Sequence, residues 1–373
     1  MNGQIKLTVM NRYIKPLSFI IFIFGLIHYY IFLTITRSIS DQELYRNLLA
    51  IWFTISVFMM PAGFIISHSR FKAEASAITW YGYIWLGFFQ IIIFFSIVES
   101  IVSLFYLHDF SYWVLFASVI ITFWALYKGL KRPKIIRHKI QGPAQIKGLT
   151  LVQVSDLHVG LLHLNQRWLE NVVDEINLLN ADVVAITGDL VEGAYSEISP
   201  QLACLRNVQA RLEKYYVTGN HEYIHGSGPW EKRLVELGFR KLHNENHILK
   251  FKEARLLIAG VPDRMAKRFD QRLRSEPDVA LRSNEIVDYR ILLAHEPASI
   301  HDLKTESCDL ILSGHTHGGQ IFPFGVLVRI VQPLVKGFKR FGTTLVFAHQ
   351  GTGLWGPPMR WFTRSEIVLI EWE

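Results

Sequence analysis

Leu149-Thr150-Leu151-Val152-Gln153-Val154-Ser155-Asp156-Leu157-His158 decides how most of this chain is read. A short apolar run stops abruptly on Ser-Asp-x-His, which is the texture of a buried strand ending in a polar loop. Working outward, similar runs recur at Val183–Ile186, Tyr215–Thr218, Leu256–Ala259, Ile291–Ala294, Leu310–Leu312, Leu345–Ala348 and Ile367–Ile370. Helical patterns lie between some of them, clearest at Asn165–Leu179. Repeated strand–helix alternation predicts an α/β layered fold with helices covering sheet. At about 225 residues the region is long enough for one well-buried core.

The first third is written for a different solvent. Charge-free stretches of 21, 23, 24 and 18 residues lie between Lys15 and Arg37, Arg46 and Arg70, Glu74 and Glu99, and Asp109 and Lys128. Crossing about 30 Å of hydrocarbon takes roughly 20 apolar residues as helix. Four transmembrane helices are therefore expected, at Pro16–Thr36, Leu48–Ser67, Ile78–Val98 and Phe110–Tyr127. The first is too long for a cleaved signal core and lacks a small-residue cleavage site, so it reads as a retained anchor. Disordered, collagen-like and purely soluble classes are excluded. The expected division is a transmembrane region over 1–130, a basic linker over 131–147 and the α/β domain over 148–373.

Charge is equally uneven. Residues 1–149 carry 14 Lys+Arg against 5 Asp+Glu, and residues 150–373 carry 25 against 27. The high pI of about 9.3 thus belongs to the membrane part, and nothing marks the α/β domain as a nucleic-acid binder. With four spans, one side of the membrane collects 11 basic residues against 2. The positive-inside rule then places both ends, and the α/β domain, in the cytoplasm against an inner (plasma) membrane. His28 and Glu99 are ionisable within or beside the spans; an interhelical hydrogen bond and a span-end position explain them without transport chemistry. Cys204 and Cys308 read as buried thiols of a reduced compartment.

Chemistry gathers at the strand ends. They carry Asp156-x-His158, Gly188-Asp189 with Glu192 three residues on, Gly219-Asn220-His221-Glu222, His295-Glu296 and Gly314-His315-Thr316-His317. In open α/β sheets such ends border one crevice. Residues two apart on extended backbone face one way, so Asp156 and His158 are expected as one pincer and His315 and His317 as another. Glycine before Asp189, Asn220 and His315 suits a sharp turn where each strand stops. Oxygen and imidazole donors without thiolate fit manganese, iron, zinc or magnesium. Seven such residues exceed what one catalytic ion uses, whereas two ions roughly 3.5–4 Å apart use them economically.

This series resembles the calcineurin-like metallophosphoesterase superfamily over about residues 148–373. Gly-His-Thr-His-Gly-Gly-Gln at 314–320 and Gly353-x-x-Gly356-Pro357-Pro358-x-Arg360 are similar to its bacterial membrane-associated branch. The resemblance implies a β-sandwich of two mixed sheets flanked by helices. It also implies a binuclear metal centre hydrolysing a phosphate ester through a hydroxide that bridges two divalent ions, manganese foremost. Asp156, His158 and His317 would hold the first ion, Asn220, His295 and His315 the second, and Asp189 would bridge. His221 would contact phosphate and protonate the leaving group. Glu192 stands where protein phosphatases have an aspartate orienting that histidine, a departure in side-chain length. Gly188-Asp189-Leu190-Val191-Glu192-Gly193-Ala194 also departs from the Gly-Asp-x-Val-Asp-Arg-Gly spelling of those phosphatases, which argues against protein substrates. Alternatives are a UDP-2,3-diacylglucosamine pyrophosphatase of lipid A synthesis, and a non-catalytic metal-binding scaffold. Full retention of the ligand set argues against the latter.

Ile321–Phe341 interleaves apolar residues with Arg329, Lys336, Lys339 and Arg340. Such a segment can lie in a membrane interface and admit a lipid-linked phosphate; the plain alternative is an ordinary helix packed on the sandwich. His225, His243 and His247 read as loop histidines, solvated in the first reading and substrate-side in the alternative, and Trp355 and Trp361 as packing for the C-terminal strands rather than stacking on a ligand.

Overall fold

Two solvents give two units, dividing between Ala125 and Leu126. The computed structural model describes residues 21–39, 41–67, 76–106 and 110–373. In the first unit the charge-free stretches are helical: α1 (Ile21–Ile35), α2 (Glu43–Ser67), α3 (Ser76–Val102) and α4 (Ser111–Gly129), whose last turns enter the second unit. At about 1.5 Å per residue, α2 to α4 are long and apolar enough to cross a membrane. The start of the first expected span lies outside the described residues, and its described part, α1, is shorter than a crossing. His28 is held between helices: Trp85 Nε1 donates to its Nε2 at 2.9 Å, and its Nδ1 donates to the Phe24 carbonyl at 2.7 Å. Glu99 is buried and pairs with Arg37 at 3.0 Å. Both ring nitrogens of His28 are thus paired within the helices, whereas Glu99 Oε2 is buried with no hydrogen-bond partner among the described residues.

The second unit is a sandwich of two six-stranded mixed sheets. Its strands are β1 (Lys134–Ile140), β2 (Thr150–Val154), β3 (Val183–Thr187), β4 (Glu213–Val217), β5 (Arg240–Lys241) and β6 (Glu245–Phe251), then β7 (Ala254–Gly260), β8 (Tyr289–Leu293), β9 (Leu310–Ser313), β10 (Gly337–Phe341), β11 (Thr344–Ala348) and β12 (Glu366–Trp372). One sheet runs β1-β12-β2-β3-β4-β5 and the other β10-β11-β9-β8-β7-β6. In the first, β2, β3, β4 and β5 are parallel; in the second, β11, β9, β8 and β7 are parallel. Strand alternation assigns the core. Leu151, Val183, Ala185 and Val217 face Leu256, Ile258, Ile291 and Leu312 between the sheets. Their neighbours Val152, Val184 and Tyr216 point outward beneath α5 (Gln166–Leu178). Strands covered on both faces read as continuous apolar runs, and each fully buried aliphatic side chain contributes about 1.5–3 kcal/mol.

One expected boundary is corrected. The basic stretch 131–147 is no linker, because Lys134–Ile140 pairs in parallel with β12 over seven residues. Lys134, Arg137 and Lys139 sit on this edge strand, where Arg137 and Lys139 meet Glu371 and Glu373 at 3.6 and 2.7 Å. Basic residues on an edge strand are one way to discourage further pairing.

Parallel strands matter for the site because their carboxyl ends all open on one rim. The ends of β2, β3, β4, β8 and β9 lead directly into the five polar loops read from the sequence.

Candidate metal centre

Five of the seven ligand candidates sit on strained turns past their strands. Asp156, His158, Asp189, His315 and His317 have φ of +55°, +46°, +51°, +68° and +48°, the left-handed region that L-residues avoid. Each such residue costs about 1–2 kcal/mol, and strain of this kind gathers where function demands a fixed geometry. The expected extended pincers are therefore replaced by left-handed turns. The glycines also work differently from expectation. Gly188 does adopt φ +92°, but Gly219 and Gly314 do not need a special φ. A Cβ on Gly219 would collide with the Asp189 side chain, and one on Gly314 with Ser155. Close approach, not turning, excludes larger residues there.

The loops gather the donors into two separate clusters, Asp156–His158–His317 and Asp189–His295–His315, with a third group, His158–Glu192–His221, sharing His158 with the first. In the first, His317 Nε2 lies 3.3 Å from His158 Nε2 and 3.4 Å from Asp156 Oδ1. In the second, His295 Nε2 lies 3.3 Å from His315 Nδ1 and 3.1 Å from Asp189 Oδ2. Asn220 Oδ1 joins it, 3.0 Å from His315 Nδ1. His315 and His317, expected as one pincer, thus serve neighbouring clusters. Asp189 Oδ2 also lies 3.8 Å from His158 Nε2, so one carboxylate oxygen stands between the two groups.

These residues fit divalent ions. Imidazole nitrogens facing each other at 3.3 Å in a buried site want a shared cation. Two of their far nitrogens are tied down, as those of a metal ligand usually are: His158 Nδ1 meets Glu192 Oε2 at 3.0 Å, and His295 Nδ1 donates to the Thr187 carbonyl at 2.7 Å, while His317 Nδ1 has no hydrogen-bond partner among the described residues. Burial, then repulsion from neighbouring imidazoles, lowers the pKa of His315 and His317, keeping lone pairs available. Burial would raise the Asp189 carboxyl, but His295 and His221 outweigh it and hold it well below the usual range.

Glu192 reaches further than a ligand's partner must. The same Oε2 is 2.7 Å from His221 Nδ1, and Oε1 is 3.3 Å from His225 Nε2. Its extra methylene lets one carboxylate face three imidazoles. Burial depresses His221, yet the Asp189 and Glu192 carboxylates prevail and push its pKa up to about 9. His225, expected in solvent, turns toward this carboxylate. His247 instead meets the Tyr215 hydroxyl at 2.8 Å, and His243 lies 3.9 Å from Glu231.

The sequence marked Glu222 and Arg360 within motifs but not their roles, and it did not mark Asp263 at all. Glu222 accepts backbone N–H bonds from Gly219, Asp189 and Leu190 at 2.6, 3.1 and 2.6 Å, clamping two ligand loops together. Arg360 is fully buried and donates to the carbonyls of His317, Gly351 and Gly353. The Gly353 N–H donates to the Asp156 carbonyl at 2.9 Å, and a Cβ there would strike the Asp156–Leu157 backbone. The C-terminal glycine–proline–arginine motif therefore braces the first cluster from behind. Asp263, just past β7, is buried with one carboxylate oxygen lacking a hydrogen-bond partner, and burial pushes its pKa up to about 7. Its place at a strand end was the signal that would have found it. Trp355, expected as packing, is 45% exposed with its ring edge toward His221 at 6.3 Å. Cys204 and Cys308 are buried free thiols.

A sequence profile described as calcineurin-like phosphoesterase matches residues 149–319. An uncharacterized metallophosphoesterase of Campylobacter jejuni is 30% identical over 376 residues, 95% of this chain and 97% of that one. One of Helicobacter pylori is 38% identical over 251 residues, 66% of each chain. A zebrafish (Danio rerio) protein named as a transmembrane protein with metallophosphoesterase domain is 32% identical over 268 residues, 69% of this chain and 61% of its own.

Proposed function

Because the chain belongs to the calcineurin-like phosphoesterase family, whose members are metal-dependent hydrolases of phosphate esters, we propose that it cleaves such an ester at the two clusters. The observation that carries this is the Asp189 carboxylate, whose Oδ2 lies 3.1 Å from His295 and 3.8 Å from His158. In this reading Asp156, His158 and His317 would hold one divalent ion and Asn220, His295 and His315 a second, with the Asp189 carboxylate placed to serve both. Manganese is the first candidate, with iron, zinc and magnesium sharing the donor chemistry. Ions bound there would supply Lewis-acid charge against the phosphoryl oxygens and a water of lowered pKa.

The chain's own residues do the rest. The Asp189 and Glu192 carboxylates favour the protonated form of His221; with Nδ1 facing Glu192, its Nε2 is left for the leaving-group oxygen, to which it would give its proton as the P–O bond breaks. Glu192 orients that ring and stabilises its charge. The left-handed loops, clamped by Glu222 and Arg360, fix the donors before substrate arrives.

Three helices of membrane-crossing length, with relatives named as transmembrane proteins, support a membrane protein. We place the hydrolase domain on the cytoplasmic side, tethered to an inner membrane, with a lipid-linked ester as favoured substrate. A phosphatase reporter fused after Glu373 should then stay silent while a fluorescent one is bright; the reverse would put the site outside.

The direct test is a screen of the purified full-length protein with Mn²⁺, using 4-nitrophenyl phosphate, bis(4-nitrophenyl) phosphate and UDP-2,3-diacylglucosamine in micelles. Metal-dependent release from an aryl ester supports the proposal. Cleavage of the sugar nucleotide alone would favour a pyrophosphatase of lipid A synthesis, and no turnover on any substrate would favour a scaffold.

A further inference from the structure

Helix Phe324–Val331 follows the first cluster's last ligand by seven residues, yet it buries none of its side chains. Ile330 and Val331 are 77% and 72% exposed, and Val326 and Leu327 are 58% each. Phe362, 70% exposed, adds to the surface and packs on Phe322 at 5.6 Å. An apolar surface of this kind on a folded domain marks an interaction site. The packed-helix alternative considered from the sequence is thus excluded for this face.

Beside the helix opens a cleft of about 670 Å³. Its floor includes Gly318 and Gly319, the residues directly after His317. Val326, Leu334 and Phe362 supply apolar wall, while Arg329, Lys336 and Lys339 supply positive charge. From Leu310 to Ser365 the chain has no acidic residue at all. An apolar face rimmed by cations that form no ion pair among the described residues matches an anionic bilayer, where acyl chains take the apolar side chains and headgroups the cations. The same chain carries three helices of membrane-crossing length, so a bilayer is the surface always at hand.

We propose that helix Phe324–Val331, with Phe362, seats in the interface of an anionic bilayer, and that the adjoining cleft admits a membrane-borne phosphate ester toward His317. The substrate half of this inference rests on the phosphoesterase reading; the docking half does not.

The test uses the full-length protein in phosphatidylcholine liposomes containing phosphatidylglycerol. Burial pushes the Cys204 and Cys308 thiols up to about 11 and about 12, so neither competes for a thiol-reactive dye. A fluorophore is attached at Ile330→Cys, and in a control at Ile286→Cys, which is 90% exposed. With nitroxide-labelled lipid the probe at 330 should lose about half its emission or more, the control little, and the difference should shrink in high salt or neutral lipid. Equal quenching at both positions overturns the docking. Shielding at 330 that persists without lipid would mean a second copy of the chain covers the face, which overturns it too. Substrate entry is tested with Leu327→Ser and Ile330→Ser, both at exposed positions. Hydrolysis of liposomal phosphatidate should fall about tenfold while 4-nitrophenyl phosphate turnover holds. Equal loss on both substrates overturns the entry route, and inactivity of the unaltered protein toward the aryl ester counts against the phosphoesterase reading instead.

Discussion

Asp189→Asn should remove turnover and bring bound metal below two ions per chain. The substitution keeps one acceptor oxygen, so the His221 N–H that donates to Oδ1 at 2.9 Å can stay paired. What is lost is the charge between the clusters. At Oδ2, an amide nitrogen 3.1 Å from His295 and 3.8 Å from His158 offers two protons where a cation should sit. Removing one preorganised electrostatic contact in a closed site costs about 10²–10³ in rate, and this variant also weakens a metal site, so about 10³-fold or more is expected. His221→Ala should differ in kind. It leaves all seven donors in place, keeps both ions by elemental analysis, and loses the roughly 10²–10⁴ that a placed proton donor contributes. A full metal complement in Asp189→Asn would contradict the bridging role.

Arg360→Ala should be the most damaging change away from the donors themselves. The guanidinium is fully buried with no carboxylate in contact, and burial pushes its pKa down to about 10, against attraction from Glu366 and Asp156. It donates to the His317 carbonyl at 2.7 Å, to Gly353 at 2.7 Å and to Gly351 at 3.3 Å. Truncation removes these charge-assisted bonds and leaves a cavity, costing about 3–5 kcal/mol. For a unit of this size the melting temperature should fall by roughly 10 °C. Because His317 loses its backbone anchor, affinity at the first cluster should also drop by about 10–100-fold, and more than at the second. Calorimetry and metal titration would check both, and an unchanged melting temperature would show that the arginine braces nothing.

The interior strands were legible because both faces are covered. Val183–Ile186 and Leu310–Leu312 need no alternation to announce themselves. Strands at or near the sheet edges hid for the opposite reason. β1 has no apolar run longer than the pair Ile135-Ile136, set among lysine, arginine and histidine, and β6 carries Glu245, Asn246, His247 and Lys250, so neither shows an apolar run of strand length. β5, with two residues, and β10, at the other rim, are equally poor in signal. At the site, composition marked which residues gather, but not how. Five left-handed candidate ligands are a tertiary outcome, enforced by close approaches such as Gly219 on Asp189 and Gly353 on Asp156–Leu157. The reach of Glu192 depends on where His158, His221 and His225 come to lie, which no local pattern encodes. Arg360 stood out as part of a motif, yet its task is to hold a carbonyl 43 residues away.

The measurement that bears most directly on the central claim is a titration of metal-stripped, full-length protein with Mn²⁺, following ions bound per chain and 4-nitrophenyl phosphate turnover together. Two ions per chain are expected, with turnover appearing only as the second binds. Full turnover at one ion per chain, or turnover with none, would contradict a two-ion phosphoesterase.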